Sequence, residues 1–173
     1  MKITKFNDQP LIEIYEDFLT SEECDAFLNQ PFNFNRSTGW NDKVDINEVH
    51  KDRTSETAWD HTLTNDLKVK IAKQFNVDPN TIESLQIQKY GTEQFYLAHH
   101  DYFHNGKNLD NNRIMTFVLY LNDDFSGGFT EFPLLKTGFK PKKGSGIFFK
   151  YNYDDHKYNE LTLHSGTPVI EGV

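Results

Sequence analysis

Only one cysteine, Cys24, occurs in the 173 residues, so the chain holds no internal disulfide and cannot build a cysteine-based zinc ribbon. That scarcity predicts a reducing, cytoplasmic setting. No apolar run approaches the ~20 residues that cross a bilayer, which predicts no membrane span. The opening MKITKFNDQP lacks the apolar stretch of a secretion signal. Positive charge is in deficit: 18 Lys and Arg stand against 26 Asp and Glu. The net charge of −8 repels phosphate backbones and argues against a nucleic-acid partner. No internal repeat, low-complexity tract or Gly/Ser linker divides the chain, and its length fits one domain of ~150 residues. Aromatic residues, by contrast, are plentiful. The 15 Phe and 8 Tyr are far too many for a disordered tail and enough for a substantial core.

Residues 1–84 read as mixed. Leu11–Tyr15 (LIEIY) alternates apolar and polar, a strand signal. Thr20 followed by Glu23 is a capping box, predicting a short helix that carries Cys24, Phe27 and Leu28. Leu67, Ile71 and Phe75 recur at helical spacing with lysines opposite, predicting a second helix over about Asn65–Phe75, closed by Asp78-Pro79. From residue 85 the period changes to two. Leu85–Tyr90, Ile114–Leu121, Phe129–Phe132, Gly146–Tyr151, Leu161–His164 and Pro168–Ile170 read as strands. Asn105–Asn112 reads as a polar loop, and Pro141-Lys142-Lys143-Gly144 as a turn. Many short strands between turns predict an α+β fold, a β jelly roll with supporting N-terminal helices.

The stretch YGTEQFYLAHHDYF carries the chemistry. On a strand, His99 and Asp101 point to one side and can grip a single metal ion. His164, on a late strand, is the candidate third ligand. Two histidines and one aspartate on one face leave open positions on an octahedral ion, the facial arrangement of non-haem Fe(II) oxygenases. A chance His-x-Asp is unsurprising in a chain with 7 His and 26 acidic residues, so the spacing by itself also allows a plain surface pair. His50, His61, His100, His104 and His156 read as surface groups or groups behind the ligands, with His100 pointing away from the metal.

The flanking residues weigh more. Asp17-Phe18-Leu19 with Ser21-Glu22-Glu23-Cys24, Arg53-Thr54-Ser55 with Trp59, and Gln88-Lys89-Tyr90-Gly91 with His99-His100-Asp101-Tyr102-Phe103 form an ordered series. It continues through Leu119-Tyr120-Leu121-Asn122, Gly127-Gly128, Thr130, Phe132-Pro133, Pro141, Lys143-Gly144-Ser145, Phe148-Phe149, His164, Gly166, Pro168-Val169 and Gly172. In order and spacing this series resembles the prolyl 4-hydroxylase family of 2-oxoglutarate- and Fe(II)-dependent dioxygenases, over nearly the whole chain. The resemblance implies a single dioxygenase domain over 1–173. Residues 1–84 would give helical support and a substrate loop, and 85–173 the double-stranded β-helix core. It implies Fe(II) on His99, Asp101 and His164. Tyr90 and Thr130 would line the 2-oxoglutarate pocket, and Tyr96, Arg113, Arg53 and Ser55 the peptide groove. On the residues alone, Tyr90 and Tyr96 read equally as half-buried strand tyrosines, Thr130 as ordinary strand propensity and Arg113 as a solvated residue. Phe129 stands where the family usually has Glu, and Ala98 where proline is common.

The implied activity is hydroxylation of an unactivated C–H bond, peptidyl proline at C4 first among targets. 2-Oxoglutarate and O2 would be consumed, succinate and CO2 released, and L-ascorbate would sustain the iron. The implied partner is a peptide or protein containing proline. The family also places a lysine ten residues after its last histidine ligand, paired with the far carboxylate of 2-oxoglutarate, and then a final strand. That position would follow Val173, so the expectation is a jelly roll lacking its last strand, in a piece of a longer protein. Two other possibilities stay open: Lys150 or Arg113 supplies the cation, or the protein binds metal without efficient turnover. Losing one partner of a buried ion pair costs ~3–5 kcal/mol. The competing functions are a non-catalytic jelly-roll module that binds metal or peptide, and a small-molecule hydroxylase of the same superfamily.

Overall fold

The computed structural model describes residues 1–41, 46–49, 51–59, 63–103, 112–151 and 158–173. His50, His61, His104 and His156 lie outside the described residues, as does 105–111 of the loop expected there. In chain order the elements are β1 (Lys2–Asp8), β2 (Leu11–Glu16), α1 (Ser21–Leu28), β3 (Asn35–Arg36), β4 (Thr38–Asn41), β5 (Ile46–Val49), β6 (Glu56–Trp59) and α2 (Leu63–Phe75). Among the described residues the later elements are strands and short 3-10 turns: β7 (Gln86–Lys89), β8 (Tyr96–His99), β9 (Met115–Leu119), β10 (Ser126–Gly127), β11 (Thr130–Phe132), β12 (Thr137–Phe139), β13 (Gly146–Lys150), β14 (His164–Gly166) and β15 (Val169–Glu171).

Two four-stranded sheets make the jelly roll, one in the order β1-β2-β13-β9 and the other β12-β11-β14-β8. Their facing sides meet in a core of Ile12, Phe132, Ile147, Phe149 and Tyr151, all at most 1% exposed, with Val118 and Phe139 against them. The other face of the first sheet is covered by the helices. Tyr15, Phe117 and Phe148 there pack on Phe18, Cys24, Ile71 and Phe75. β13 is therefore buried on both sides: Ile147 and Phe149 point into the roll and Phe148 toward the helices. That explains why Gly146–Phe149 (GIFF) is a continuous apolar run instead of an alternating one. Gly144, at φ +78, makes the turn into β13 possible. A Cβ there would lie 2.3 Å from the Leu19 carbonyl oxygen, while the Leu19 N–H donates to the Gly144 carbonyl at 2.9 Å.

α1 starts as its capping box dictates. The Thr20 side chain accepts from the Glu23 N–H, and the Glu23 carboxylate accepts from the Thr20 N–H. Glu23 also takes the Lys70 ammonium at 2.7 Å, tying α1 to α2. Thr20→Ala is expected to cost ~1 kcal/mol, read as a lower urea midpoint at unchanged slope.

Two expectations are corrected. Leu161–His164 is not a strand. Glu160–Thr162 is a 3-10 turn capped by Asn159, whose side chain accepts from the Leu161 N–H, and the strand opens only at His164. Asp101 is not on a strand with His99 either, because β8 ends at His99 and Asp101 lies in the bend beyond it. Among the described residues β9 pairs only with β13. No described helix is long and apolar enough to cross a membrane.

Candidate metal centre

β8 and β14 run antiparallel, and His99 and His164 are directly opposed across them. Cross-strand partners on one face are close neighbours, and the two imidazole centroids are 4.3 Å apart. Each ring is oriented by a carbonyl two residues earlier in its own chain. His99 Nδ1 is 2.8 Å from the Leu97 oxygen, and His164 Nδ1 is 3.0 Å from the Thr162 oxygen. A carbonyl only accepts, so both Nδ1 atoms carry the proton and both Nε2 lone pairs are free to bind. These Nε2 atoms turn to one carboxylate: His99 Nε2 is 3.5 Å from Asp101 Oδ1, and His164 Nε2 is 3.6 Å from Asp101 Oδ2.

The ionisation states fit as well. Burial pushes His164 down to about 4, against the pull of Asp101, so its ring is neutral at pH 7. Burial pushes Asp101 up, but the neighbouring His99 and His164 rings and the Thr116 hydroxyl outweigh it. The carboxyl is held well below the usual carboxylate range. One carboxylate and two imidazole nitrogens, all within 4.8 Å of one another, are the donors a divalent ion needs. Ligands at ~2.1 Å from a common ion stand ~3 Å apart, so each imidazole closes on the Asp101 carboxylate by about half an ångström on binding. The residues present fit Fe(II).

The walls are apolar and rigid. His164 is 6% exposed and wedged against Phe149, 4.7 Å between centroids, and Phe132, 5.9 Å. Tyr96 stacks on His99 at 3.5 Å and 17°. Arg53 lies over the Tyr96 ring at 5.1 Å. Burial pushes the Tyr96 hydroxyl up, and the Arg53 charge opposes it. Arg53 Nε donates to Ser55 Oγ at 3.1 Å, and Ser55 Oγ shares a proton with Ser37 at 2.8 Å. Ser55 has no exposed surface; it braces Arg53 and does not face solvent.

Arg113 reaches the site from the side. Its Nη1 donates to the Asp101 carbonyl at 3.0 Å, while Nε and Nη2 clamp Glu83 at 2.6 and 2.9 Å. A guanidinium so committed is not the counter-ion for a 2-oxoglutarate carboxylate. Tyr90 lies just past β7 and donates to Gln88 at 3.1 Å. Thr130 sits on β11 with its hydroxyl 2.6 Å from that of Tyr120. His100 turns aside, its Nε2 3.1 Å from the Glu160 carbonyl. The structure thus joins His99, Asp101, His164, Tyr96, Arg53 and Ser55 in one contiguous set, with Arg113 on its backbone side. Tyr90 and the Thr130–Tyr120 pair have separate hydrogen-bond partners. Thr116 and Glu83 carry no site role in the sequence motifs, and Gln88 and Tyr120 stand in the family-like series without one. Thr116 and Tyr120 carry a usable signal, as the two hydroxyl-bearing residues in the otherwise apolar run Ile114–Leu121.

The family model described as "2OG-Fe(II) oxygenase superfamily" matches residues 85–172, and the chain belongs to that superfamily. Within it, the chain is 30% identical over 199 residues to prolyl 4-hydroxylase 2 of Arabidopsis thaliana, covering 99% of this chain and 67% of the relative. It is 29% identical over 178 residues to prolyl 4-hydroxylase subunit alpha-1 of Bos taurus, covering 95% of this chain and 33% of that one. The chain therefore spans from a third to two-thirds of the length of these curated relatives. A viral collagen prolyl hydroxylase of Paramecium Bursaria Chlorella virus-1, solved as a 2OG complex, superposes with a TM-score of 0.70 at 29% identity. That match covers 93% of this chain and 90% of that one.

Proposed function

We propose that this chain is the catalytic domain of a 2-oxoglutarate- and Fe(II)-dependent dioxygenase that hydroxylates peptidyl proline at C4. The observation that carries the reading is the convergence of two Nδ1-protonated imidazoles and one carboxylate on a single point. The relatives named prolyl 4-hydroxylase and the likeness to a viral collagen prolyl hydroxylase support the choice of substrate. Fe(II) held there supplies the redox chemistry that turns 2-oxoglutarate and O2 into succinate and CO2 and delivers one oxygen atom to the target carbon.

The protein's own share is binding and positioning. His99, Asp101 and His164 hold the ion from one side and leave the opposite side open. Tyr120 and Thr130, paired inside the roll, offer hydroxyls to the far carboxylate of 2-oxoglutarate, and Tyr90 offers a third. Burial pushes the Tyr120 hydroxyl up to about 12, so it stays protonated and able to donate. Tyr96, stacked on His99 and covered by Arg53, forms the wall along which a proline ring packs, while Ser55 and Ser37 keep Arg53 in place. L-ascorbate serves as the reductant that restores oxidised iron. The lone, buried Cys24 suits a reducing cytoplasm. The relatives named prolyl 4-hydroxylase favour the enzyme over a plain binding module.

The direct test is incubation with Fe(II), 2-oxoglutarate, ascorbate and a proline-rich peptide. The expected result is a gain of one oxygen atom on proline, with succinate formed in equal amount. Succinate without peptide oxidation would remove the prolyl substrate; neither product would remove the activity. A second expectation concerns Tyr120→Phe. Losing a hydrogen bond to a charged group costs ~1.5–3 kcal/mol, so KM for 2-oxoglutarate rises about tenfold to a hundredfold at nearly unchanged kcat.

A further inference from the structure

Asp101 follows the end of β8, so no sheet ladder fixes its side chain. Something else must aim it. β9 alternates: Met115, Phe117 and Leu119 face the helices, while Val118 and Tyr120 face the roll's interior. Thr116 shares that interior side and brings its hydroxyl toward Asp101. Its Oγ1 lies 2.6 Å from Asp101 Oδ2. The Tyr151 hydroxyl is more distant, at 3.4 Å, and donates to the Met115 carbonyl at 3.3 Å. A carboxylate oxygen only accepts, so Thr116 is the donor. Meanwhile Arg113, braced by Glu83, holds the Asp101 backbone through its carbonyl. The residue is thus gripped by a hydroxyl at Oδ2 and at the main chain; His164 Nε2 stands 3.6 Å from that same Oδ2, while Oδ1 carries no hydroxyl donor among the described residues and faces His99 Nε2 at 3.5 Å.

We propose that Thr116 is a positioning residue that makes Asp101 a one-oxygen ligand: its hydroxyl occupies Oδ2 so that only Oδ1 is presented to the ion. The inference rests on the metal-site reading above. Its value to that site is a coordination position. A carboxylate gripping with both oxygens fills one more place on an octahedral ion, and 2-oxoglutarate and O2 together need every place the three side chains leave. The donor also sharpens affinity, because a ligand fixed in place loses less freedom on binding. β9 contributes no ligand of its own, yet through this one hydroxyl it sets how many positions remain.

The test uses Co(II) alone as probe, with no 2-oxoglutarate, on wild type, Thr116→Val, Thr116→Ala and Thr116→Ser. Binding is read by calorimetry, and carboxylate mode by the splitting of the two carboxylate stretches in metal-minus-apo infrared spectra. Thr116→Val is expected to bind Co(II) about 10–100-fold more weakly, with a narrower splitting as the second oxygen swings onto the ion. Thr116→Ser, which keeps the hydroxyl, is expected to match wild type in both readouts. Thr116→Ala repeats the deletion without a buried extra methyl, so either folded variant decides the matter. Wild-type affinity and splitting in the hydroxyl-free variants would overturn the proposal, as would a loss in Thr116→Ser as large as theirs. Failure of wild type itself to bind Co(II), or equal binding by His99→Ala, would instead sink the metal site.

Discussion

His99→Ala is expected to reduce 2-oxoglutarate-dependent CO2 release to the level of a protein-free control. The imidazole is one of three donors, and its Nδ1–H bond to Leu97 shows that the ring is already committed to offering Nε2. Losing only a partner that orients a ligand costs about 10–100-fold in metal affinity; losing the ligand itself costs more. Stability should barely move. His99 is part exposed and makes one hydrogen bond to the backbone, worth ~1 kcal/mol. The signature is therefore a lost ion in a folded protein, checked by metal content, circular dichroism and CO2 release on the same preparation. Equal CO2 release by variant and wild type would remove the mechanism. His164→Ala is less clean as a test because that ring is buried against Phe149 and Phe132.

Phe149→Ala is expected to be the most destabilising single change. The side chain has no exposed surface, lies on the doubly covered β13, and touches Phe132 edge-on at 5.3 Å as well as the His164 ring. A buried Phe→Ala change costs ~3–5 kcal/mol, because the cavity it leaves relaxes only in part. Against a total of ~5–15 kcal/mol, that is a large fraction. Urea unfolding should show a sharply lower midpoint, while Phe149→Leu, nearer in volume, should lose under ~1.5 kcal/mol. Because the same ring fixes one face of His164, the alanine variant should also lose metal affinity at temperatures where it is still folded. A Phe149→Ala midpoint close to wild type would mean that this core is not where the stability lies.

The features read correctly from sequence were those written within a few residues. The capping box at Thr20 and Glu23, the four-residue spacing in α2 and the β-branched and aromatic run Ile114–Leu121 around β9 each depend on short-range geometry, and the chain follows them. The ligand residues were legible because His99 and Asp101 are close in sequence and the flanking pattern located His164. What failed depended on distant partners. The bend that carries Asp101 is held by Thr116, Arg113 and Glu83, which no periodicity connects to it. Ser55 looked like part of an open loop, but its hydroxyl is matched by Ser37, a pairing with no sequence signature. β1 went unseen because nearly all its residues are exposed, so it lacks the one-sided apolar pattern that marks a half-buried strand. The 3-10 turn before His164 does have a local signal, since Asn159 two residues before Leu161 is a recognisable capping residue.

The two short bonds from ring nitrogen to the carbonyl two residues back have a practical consequence. Each tripeptide, Leu97-Ala98-His99 and Thr162-Leu163-His164, chooses its own imidazole tautomer without help from the other. An arriving ion therefore finds both acceptor nitrogens already selected and has no proton to relocate from one side of a ring to the other. Replacing either flanking side chain leaves that selection intact, since the selecting group is the peptide oxygen. A graft of these two triplets onto another antiparallel ladder in the same register would carry the choice with it.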